Sequence, residues 1–471
     1  MALIKSISGI RGTIGGNYGT NLTPQDIVEC TAAFGAWILQ KKNANRAKVI
    51  IGRDARISGA MVSQIVVNTL LSMGIDIVDL GLSTTPTVEI AVVTEGADAG
   101  IILTASHNPK EWNALKLLNS DGEFISAADG ADVLAMIEKS QIYYADVEHL
   151  GTYRQDDSYI QKHIDKVLAL QLVDVELVKS KNFKVVVDPV NSTGAISIVP
   201  LLEQMGCNVT VINGEVNGNF AHNPEPLPEH LNGLARAVTY NKAHLGIAVD
   251  PDVDRLAFVR EDGEMFGEEY TLVAVADYVL QHSVNKNTVS NMSSTRALRD
   301  VTEKHGGIYA SASVGEVNVV TKMKDIGAVI GGEGNGGVIY PELHYGRDAL
   351  VGVALMLTAL AKFGKPLSFL KNKFPEYVIS KKKLDLPSGV KIDELLDQLD
   401  AKYKLMKSCT RDRTDGLKIE FNDDKNWIHM RKSNTEPIIR VYAESTSAVI
   451  ADNLIQKINR DIYEILNAEK E

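Results

Sequence analysis

A β-branched strand, a turn bearing Ser, Thr, Asp or Asn, an amphipathic helix and a second strand recur three times along this chain, and this repetition narrows the fold more than any single motif. The copies are KVIIGRDARISGAMVSQIVVNTLLSMGIDIVDLG from Lys48, KVVVDPVNSTGAISIVPLLEQMGCNVTVING from Lys184 and TVSNMSSTRALRDVTEKHGGIYASASVG from Thr288. Ile198, Leu201, Leu202 and Met205 fall on one helical face in the second copy, as Val62, Ile65, Val66 and Met73 do in the first. Both helices therefore need a sheet to cover. Strands alternating with helices give layered α/β domains joined by crossovers, and the period is too long for a solenoid. After KFPEYVISKKK, around residues 373–383, the texture changes to a helix (IDELLDQLDAKYK), three closely spaced strands (GLKIEF, WIHMRK, IIRVYAE) and a closing helix, which reads as a different, α+β domain.

A chain of 471 residues is too long for one hydrophobic core. Its 45% hydrophobic and 23% charged content excludes disordered and fibrous classes. A formal charge of −11 disfavours a nucleic-acid partner, whose binding rests on clustered lysine and arginine. Cys30, Cys207 and Cys409 form no CxxC pair, so neither a disulfide framework nor a zinc site is expected, and a reducing cytoplasm is the simplest home. Lys5 and Arg11 interrupt the N-terminal stretch where an export signal needs an apolar run. ALVGVALMLTALA at 349–361 is too short to span a bilayer and is expected to be a core helix.

In DPDVDRLAF, Asp250, Asp252 and Asp254 at spacing two follow the strand LGIAV. Such carboxylates can converge from one loop on a hard cation, and a metal resolves their repulsion. The other reading is an acidic hairpin tip. Glu261 stands at the twelfth position, as in an EF-hand, but Arg255 occupies the sixth, where that loop needs glycine. Three carboxylates with a phosphate oxygen suit Mg²⁺ better than Ca²⁺. In TASHNPKEWN, Ser106 sits on a strand-to-loop corner, because Asn108 precedes Pro109. A hydrolase dyad with His107 is rejected: no GxSxG elbow is present, and neighbours on extended backbone point opposite ways. Taken alone, the stretch also reads as a serine-capped turn. SGIRGT (8–13), GRDARISG (52–59) and RKSNTEP (431–437) add glycine, hydroxyls and arginine, the donors an oxyanion needs.

TASHNP, DPDVDR, GGEGNGG (331–337) and RKSNTEP occur in order along the chain. In this the chain resembles the α-D-phosphohexomutase family, from SGIRG to RVYAE, whose enzymes interconvert sugar 1- and 6-phosphates. The resemblance implies three tandem α/β domains with mixed sheets plus a C-terminal α+β domain around a central cleft, at 1–150, 151–256, 257–372 and 373–471. It implies that Ser106 is a phosphoserine which, with Asp250, Asp252 and Asp254, holds one Mg²⁺ per chain. Arg11 and Arg255 would steady the phosphoryl group, and His107 would orient the phosphate or sugar. Lys116 would move protons if neighbouring cations lower its pKa. Glu333 and Asn335 would hold sugar hydroxyls. Arg431, Ser433, Asn434 and Thr435 would grip the non-reacting phosphate. A hexose 1,6-bisphosphate is the implied intermediate and activator, and a small sugar phosphate the partner of a monomer or homodimer.

Asn335 and Gly337 replace the serine and histidine of the family's GGE-x-SGH pattern, and the absent histidine is expected to relax sugar discrimination. GGEGNGG resembles archaeal-type phosphoglucosamine and phosphomannose mutases, with glucosamine phosphate the favoured substrate and mannose or glucose phosphate the alternative. A phosphosugar-binding protein without turnover and a metal-dependent phosphatase are the readings of other classes. Intact Ser106, Lys116 and the aspartates weigh against the first, and the second phosphate loop weighs against the other.

Overall fold

The computed structural model describes residues 3–6, 9–139, 142–387, 389–406, 408–421, 425–432 and 438–468. It contains two compact units, Met1–His282 with Asn335–Lys371, and Ser283–Gly334 with Asn372–Glu471.

Each of the three sequence copies closes a parallel strand pair. Ala47–Arg53 pairs with Ile75–Leu82, Lys184–Asp188 with Asn208–Val211, and Thr288–Asn291 with Tyr309–Ala312. In the first unit the leading sheet has seven strands, ordered Leu3–Ser6, Gly9–Thr13, Trp112–Leu118, Ala99–Leu103, Ala47–Arg53, Ile75–Leu82, Tyr153–Gln155. It is mixed, because Trp112–Leu118 runs antiparallel to both its neighbours. Successive residues of a strand face opposite sides, so Ile51 and Ile101 pack with Phe34, Val66 and Leu70, while Ile50 and Ile102 pack with Val88 and Val92. The second sheet, Leu256–Arg260, Leu245–Val249, Lys184–Asp188, Asn208–Val211, is also mixed. Ile198, Leu201, Leu202, Val62 and Val66 are buried, as their helical spacing requires, Met205 and Met73 are buried just past the helix ends at Gln204 and Leu71, and Ile65 is only partly buried. So is every residue of Ala349–Ala361, within the helix Ala349–Phe363. Among the described residues no helix is long and apolar enough to cross a membrane.

In the second unit Tyr309–Ala312, Thr288–Asn291 and Ile330–Glu333 form a parallel group. A five-stranded antiparallel sheet is ordered Val378–Asp385, Ile438–Ser445, Asn426–Lys432, Leu417–Phe421, Cys409–Asp412. The helices Ile392–Lys404 and Ala448–Ala468 bury Leu395, Leu399, Ile455 and Ile462 with Ile419, Ile428 and Val441. Both end strands escape an apolar-run search. VISKKKLD carries three exposed lysines, a common device on edge strands, and CTRD is short and polar.

Candidate active site

The strand Ala99–Leu103 ends just before Ser106, whose φ is +48°. A non-glycine residue in this left-handed region is strained by about 1–2 kcal/mol. Its neighbours hold it there. The Ser106 amide donates to Thr104 Oγ1 at 2.9 Å, and Thr104 Oγ1 donates to Asp54 Oδ2 at 2.6 Å. Buried Arg56 donates through Nη2 to the carbonyls of Ser106 (2.5 Å) and Asn108 (2.7 Å). Its Nη1 reaches the carbonyls of Pro109 (2.7 Å) and Trp112 (2.9 Å), and Nε reaches Asp54 (3.0 Å). The serine turn is thus wound around one guanidinium. Within GRDARISG, a stretch whose composition suits an oxyanion, Arg56 engages backbone carbonyls. Arg56→Ala strands those carbonyls and a buried carboxylate, so it is expected to lower unfolding free energy by about 3–5 kcal/mol in a denaturant titration.

The acidic loop follows the strand Leu245–Val249 and holds Val253 at φ +63°, an outlier for a β-branched residue. Its carbonyls are met from three distant segments. Ser192 Oγ and Thr193 Oγ1 both donate to Pro251 O at 2.7 Å, the Thr85 amide to Asp252 O at 2.9 Å, and the Ala349 amide to Val253 O at 3.2 Å. Candidate ligand oxygens of Asp250, Asp252 and Asp254 lie within 4.8 Å of one another, all on buried residues.

Ser106 Oγ donates to Asp250 Oδ2 at 2.7 Å, which brings the serine and the acidic loop together. Asp250 Oδ1 accepts from the amides of Asp254 and Arg255, each at 3.1 Å. Asp252 Oδ2 accepts from Thr85 Oγ1 (2.6 Å) and Lys116 Nζ (2.7 Å). Asp254 Oδ2 accepts from Arg347 Nη2 (2.7 Å) and Lys116 Nζ (3.4 Å). The Oδ1 atoms of Asp252 and Asp254 are buried without a hydrogen-bond partner among the described residues. Burial and the charges of Asp254 and Asp252 raise Asp250 well above the usual carboxylate range. Asp254 is held low: burial would raise it, but Arg347, Lys116 and Arg255 prevail. Orphaned oxygens on mutually repelling carboxylates are the donor set of a hard cation. The EF-hand competitor fails in space as well, because Glu261 is held by Ser368.

Arg255 donates from Nη1 to Glu225 at 3.0 Å, and its Nε lies 4.0 Å from both Asp250 and Asp254. His107 Nδ1 is 3.4 Å from Ser106 Oγ. Burial and then Arg255 push its pKa down to about 2, so the ring is neutral. Lys116 departs from the expectation of a lowered pKa. Burial pulls it down, but Asp252 and Asp254 outweigh that, and Lys116 is raised. Arg11 sits on Gly9–Thr13 opposite Ala114, on the face shared by Lys116 two residues on.

In the second unit Glu333 is buried and accepts from Asn291 Nδ2 (2.8 Å) and the Gly315 amide (3.1 Å). Arg431 Nε lies 3.4 Å from Asp415. Ser433, Asn434 and Thr435 lie outside the described residues. In the first unit Asn335 Oδ1 accepts from the Gly337 amide at 3.2 Å. Sequence reading missed Thr85, Arg56 and Arg347. Only RD pairs at 53–54 and 347–348 mark the neighbourhood of the last two.

Four sequence profiles match: phosphoglucomutase/phosphomannomutase alpha/beta/alpha domain I at 3–143, domain II at 161–263, domain III at 267–377, and the C-terminal domain at 384–460. A phosphoglucomutase/phosphomannomutase of Thermococcus kodakarensis is 34% identical over 93% of this chain and 94% of its own. A phosphoglucosamine/phosphogalactosamine mutase of Sulfurisphaera tokodaii is 32% identical over 98% and 99%. The crystal structure of a phosphoglucomutase/phosphomannomutase family protein from Burkholderia thailandensis superposes with a TM-score of 0.84 at 26% identity, covering 97% of this chain and 96% of that one. The chain belongs to the phosphoglucomutase/phosphomannomutase family, a family of phosphosugar mutases.

Proposed function

We propose that the chain interconverts glucosamine 6-phosphate and glucosamine 1-phosphate, with Ser106 carrying the phosphoryl group and a hexose 1,6-bisphosphate as intermediate and activator. The observation that carries this reading is the Ser106 Oγ–Asp250 hydrogen bond of 2.7 Å, made beside two orphaned carboxylate oxygens. Asp250, Asp252, Asp254 and a Ser106 phosphate oxygen fit one Mg²⁺. When bound, the ion polarises the P–O bond and offsets developing charge.

The chain's own residues account for the rest. In the first transfer the Ser106 Oγ–P bond breaks as a sugar oxygen bonds to phosphorus, the sugar hydroxyl giving up its proton and Oγ gaining one. In the second the bisphosphate's other O–P bond breaks as Oγ bonds to phosphorus, Oγ giving up its proton and the freed sugar oxygen gaining one. Lys116, held against two of the three carboxylates, carries the proton between Oγ and the sugar oxygen. Arg11, Arg255 and neutral His107 steady the transferring group. Glu333 and Asn335 hold sugar hydroxyls, and Arg431, Ser433, Asn434 and Thr435 hold the other phosphate. One loop then comes from each of the segments 1–150, 151–256, 257–372 and 373–471.

The name of the Sulfurisphaera tokodaii relative supports an amino sugar. That of the Thermococcus kodakarensis relative favours the second reading, glucose or mannose phosphate. The test incubates the protein with Mg²⁺, a trace of hexose 1,6-bisphosphate, and separately the 6-phosphates of glucosamine, mannose and glucose. The 1-phosphate should form without release of inorganic phosphate. Sugar phosphate binding without conversion would leave a non-catalytic binding protein.

Selectivity should be modest. The bisphosphate turns over between transfers, so the C2 substituent meets different groups in its two poses, and a contact tuned to an amine in one helps little in the other. The expected kcat/KM advantage of glucosamine phosphate is below about a thousandfold, about 4 kcal/mol. A preference for mannose phosphate would overturn the substrate assignment.

A further inference from the structure

Gly337 opens the buried strand Gly337–Ile339. Its φ lies outside the left-handed region, so the backbone does not demand glycine there. The space does. A Cβ at this position would lie 2.3 Å from Arg347 Cδ and 3.0 Å from its Cγ. The arginine stem therefore passes over the bare face of Gly337, through room that any side chain would occupy.

The head of Arg347 ends at the acidic loop, where Nη2 donates to Asp254 Oδ2 at 2.7 Å with the side chain 10% exposed. Its backbone is pinned on both sides. Ile339 and Arg347 form an antiparallel bridge, and the Asp348 amide donates to Val338 O at 2.8 Å. The buried Asp348 carboxylate accepts from the Leu350 amide at 2.7 Å and lies 2.9 Å from His163 Nε2 and 3.2 Å from His344 Nε2.

All three carboxylates have oxygens engaged by the protein. For Asp252 the holders of Oδ2 are Thr85 and Lys116, and for Asp250 the holders of Oδ1 are two amides. For Asp254 the short contact to Oδ2 is Arg347's, and Oδ1 has no hydrogen-bond partner among the described residues, with Arg255 Nε 4.0 Å away. Ligand number separates the two abundant hard cations. Ca²⁺ takes six to eight oxygens in flexible geometry and accepts bidentate carboxylates, whereas the smaller Mg²⁺ demands near-ideal octahedral geometry with fewer ligands.

We propose that Arg347, admitted by the bare Cα of Gly337, makes Asp254 a one-oxygen ligand and thereby biases the acidic loop toward Mg²⁺ over Ca²⁺. The inference rests on the metal-site reading above. Arg347 is a positioning residue here, acting through Asp254. An arginine suits the task because its planar fork fixes carboxylate orientation better than a lysine's rotating ammonium.

The test is calorimetric titration of the metal-free, full-length protein with Mg²⁺ and with Ca²⁺, no substrate present, alongside circular dichroism of each variant. The ratio of the Ca²⁺ Kd to the Mg²⁺ Kd should fall at least about tenfold in Arg347→Ala, because Asp254 Oδ2 then keeps only the longer, 3.4 Å contact to Lys116 Nζ and can turn to the ion. Arg347→Lys should lie between, and covers the case in which the alanine variant does not fold. Gly337→Ala should reproduce the shift by displacing the stem, yet add nothing in an Arg347→Ala background, where no stem remains to displace. A wild type that binds neither ion overturns the metal-site reading and this inference with it. A wild type that binds Mg²⁺, with an unchanged ratio in Arg347→Ala and Arg347→Lys or multiplying effects in the Gly337→Ala/Arg347→Ala pair, overturns the inference alone.

Discussion

Ser106→Ala is expected to leave a folded protein whose mutase turnover falls by about a thousandfold or more, even with hexose 1,6-bisphosphate supplied. Removing the atom that carries the transferring group leaves only binding and charge complementarity, and single knockouts of nucleophiles elsewhere lose comparable or larger factors. Wild-type protein exposed to bisphosphate should gain the mass of one phosphoryl group, and the alanine variant should gain none. The backbone supplies a second, independent expectation. Because Ser106 sits at φ +48°, glycine relieves strain that alanine retains. Ser106→Gly should therefore be more stable than Ser106→Ala by about 1 kcal/mol, with both inactive. Near-normal turnover in either variant would remove Ser106 from the chemistry. A reversed order of stability would mean that Cβ packing and the greater freedom of glycine in the unfolded chain, rather than the φ angle, dominate the corner.

The parts of this molecule that were legible in its sequence are those whose signal is local. Helical spacing at Ile198, Leu201, Leu202 and Met205 requires a covering sheet wherever the chain goes, and these residues are buried. Three aspartates at spacing two can converge from one loop, and their candidate ligand oxygens do lie within 4.8 Å of one another. What escaped reading depends on partners remote in sequence. Arg56 reaches the carbonyls of Ser106 to Trp112 across about fifty residues, and Thr85 meets Asp252 across 167. No pattern near either arginine or threonine separates such a clamp from a phosphate ligand. Gly337 is instructive in the other direction. As a letter it records a missing histidine and a looser sugar site, whereas in the fold it makes room for the stem of Arg347. The edge strand Val378–Asp385 pairs through eight residues with Ile438–Ser445, but its exposed lysines leave no apolar run to mark it in sequence. Lys116 shows the same limit for electrostatics. The cations around it were visible in sequence, but the two carboxylates that outweigh them are set by tertiary contact.

Asp252→Asn should lose turnover as severely, for a reason particular to how this carboxylate is shared. Its Oδ2 accepts from Thr85 Oγ1 and Lys116 Nζ, while its Oδ1 is buried with no partner among the described residues. A carboxylate can serve both sides at once. An asparagine has a single acceptor oxygen. If that oxygen faces Thr85 and Lys116, the amide N–H₂ occupies the side where a metal must bind, and donors repel a cation. If it faces the metal, N–H₂ points at an ammonium and at a hydroxyl left with no acceptor there. Either orientation weakens metal binding, by about a hundredfold on the scale of a lost charged ligand, and turnover should drop by about a thousandfold. The fold should persist, because removing one of three crowded charges relieves repulsion and offsets the weakened contact to Lys116. Melting curves separate the two effects. Mg²⁺ should raise the wild-type Tm through its preference for the folded state, and should leave that of Asp252→Asn nearly unmoved, while the metal-free curves lie close together. Normal turnover of the folded variant at low Mg²⁺ would show that the three aspartates are not a catalytic metal site.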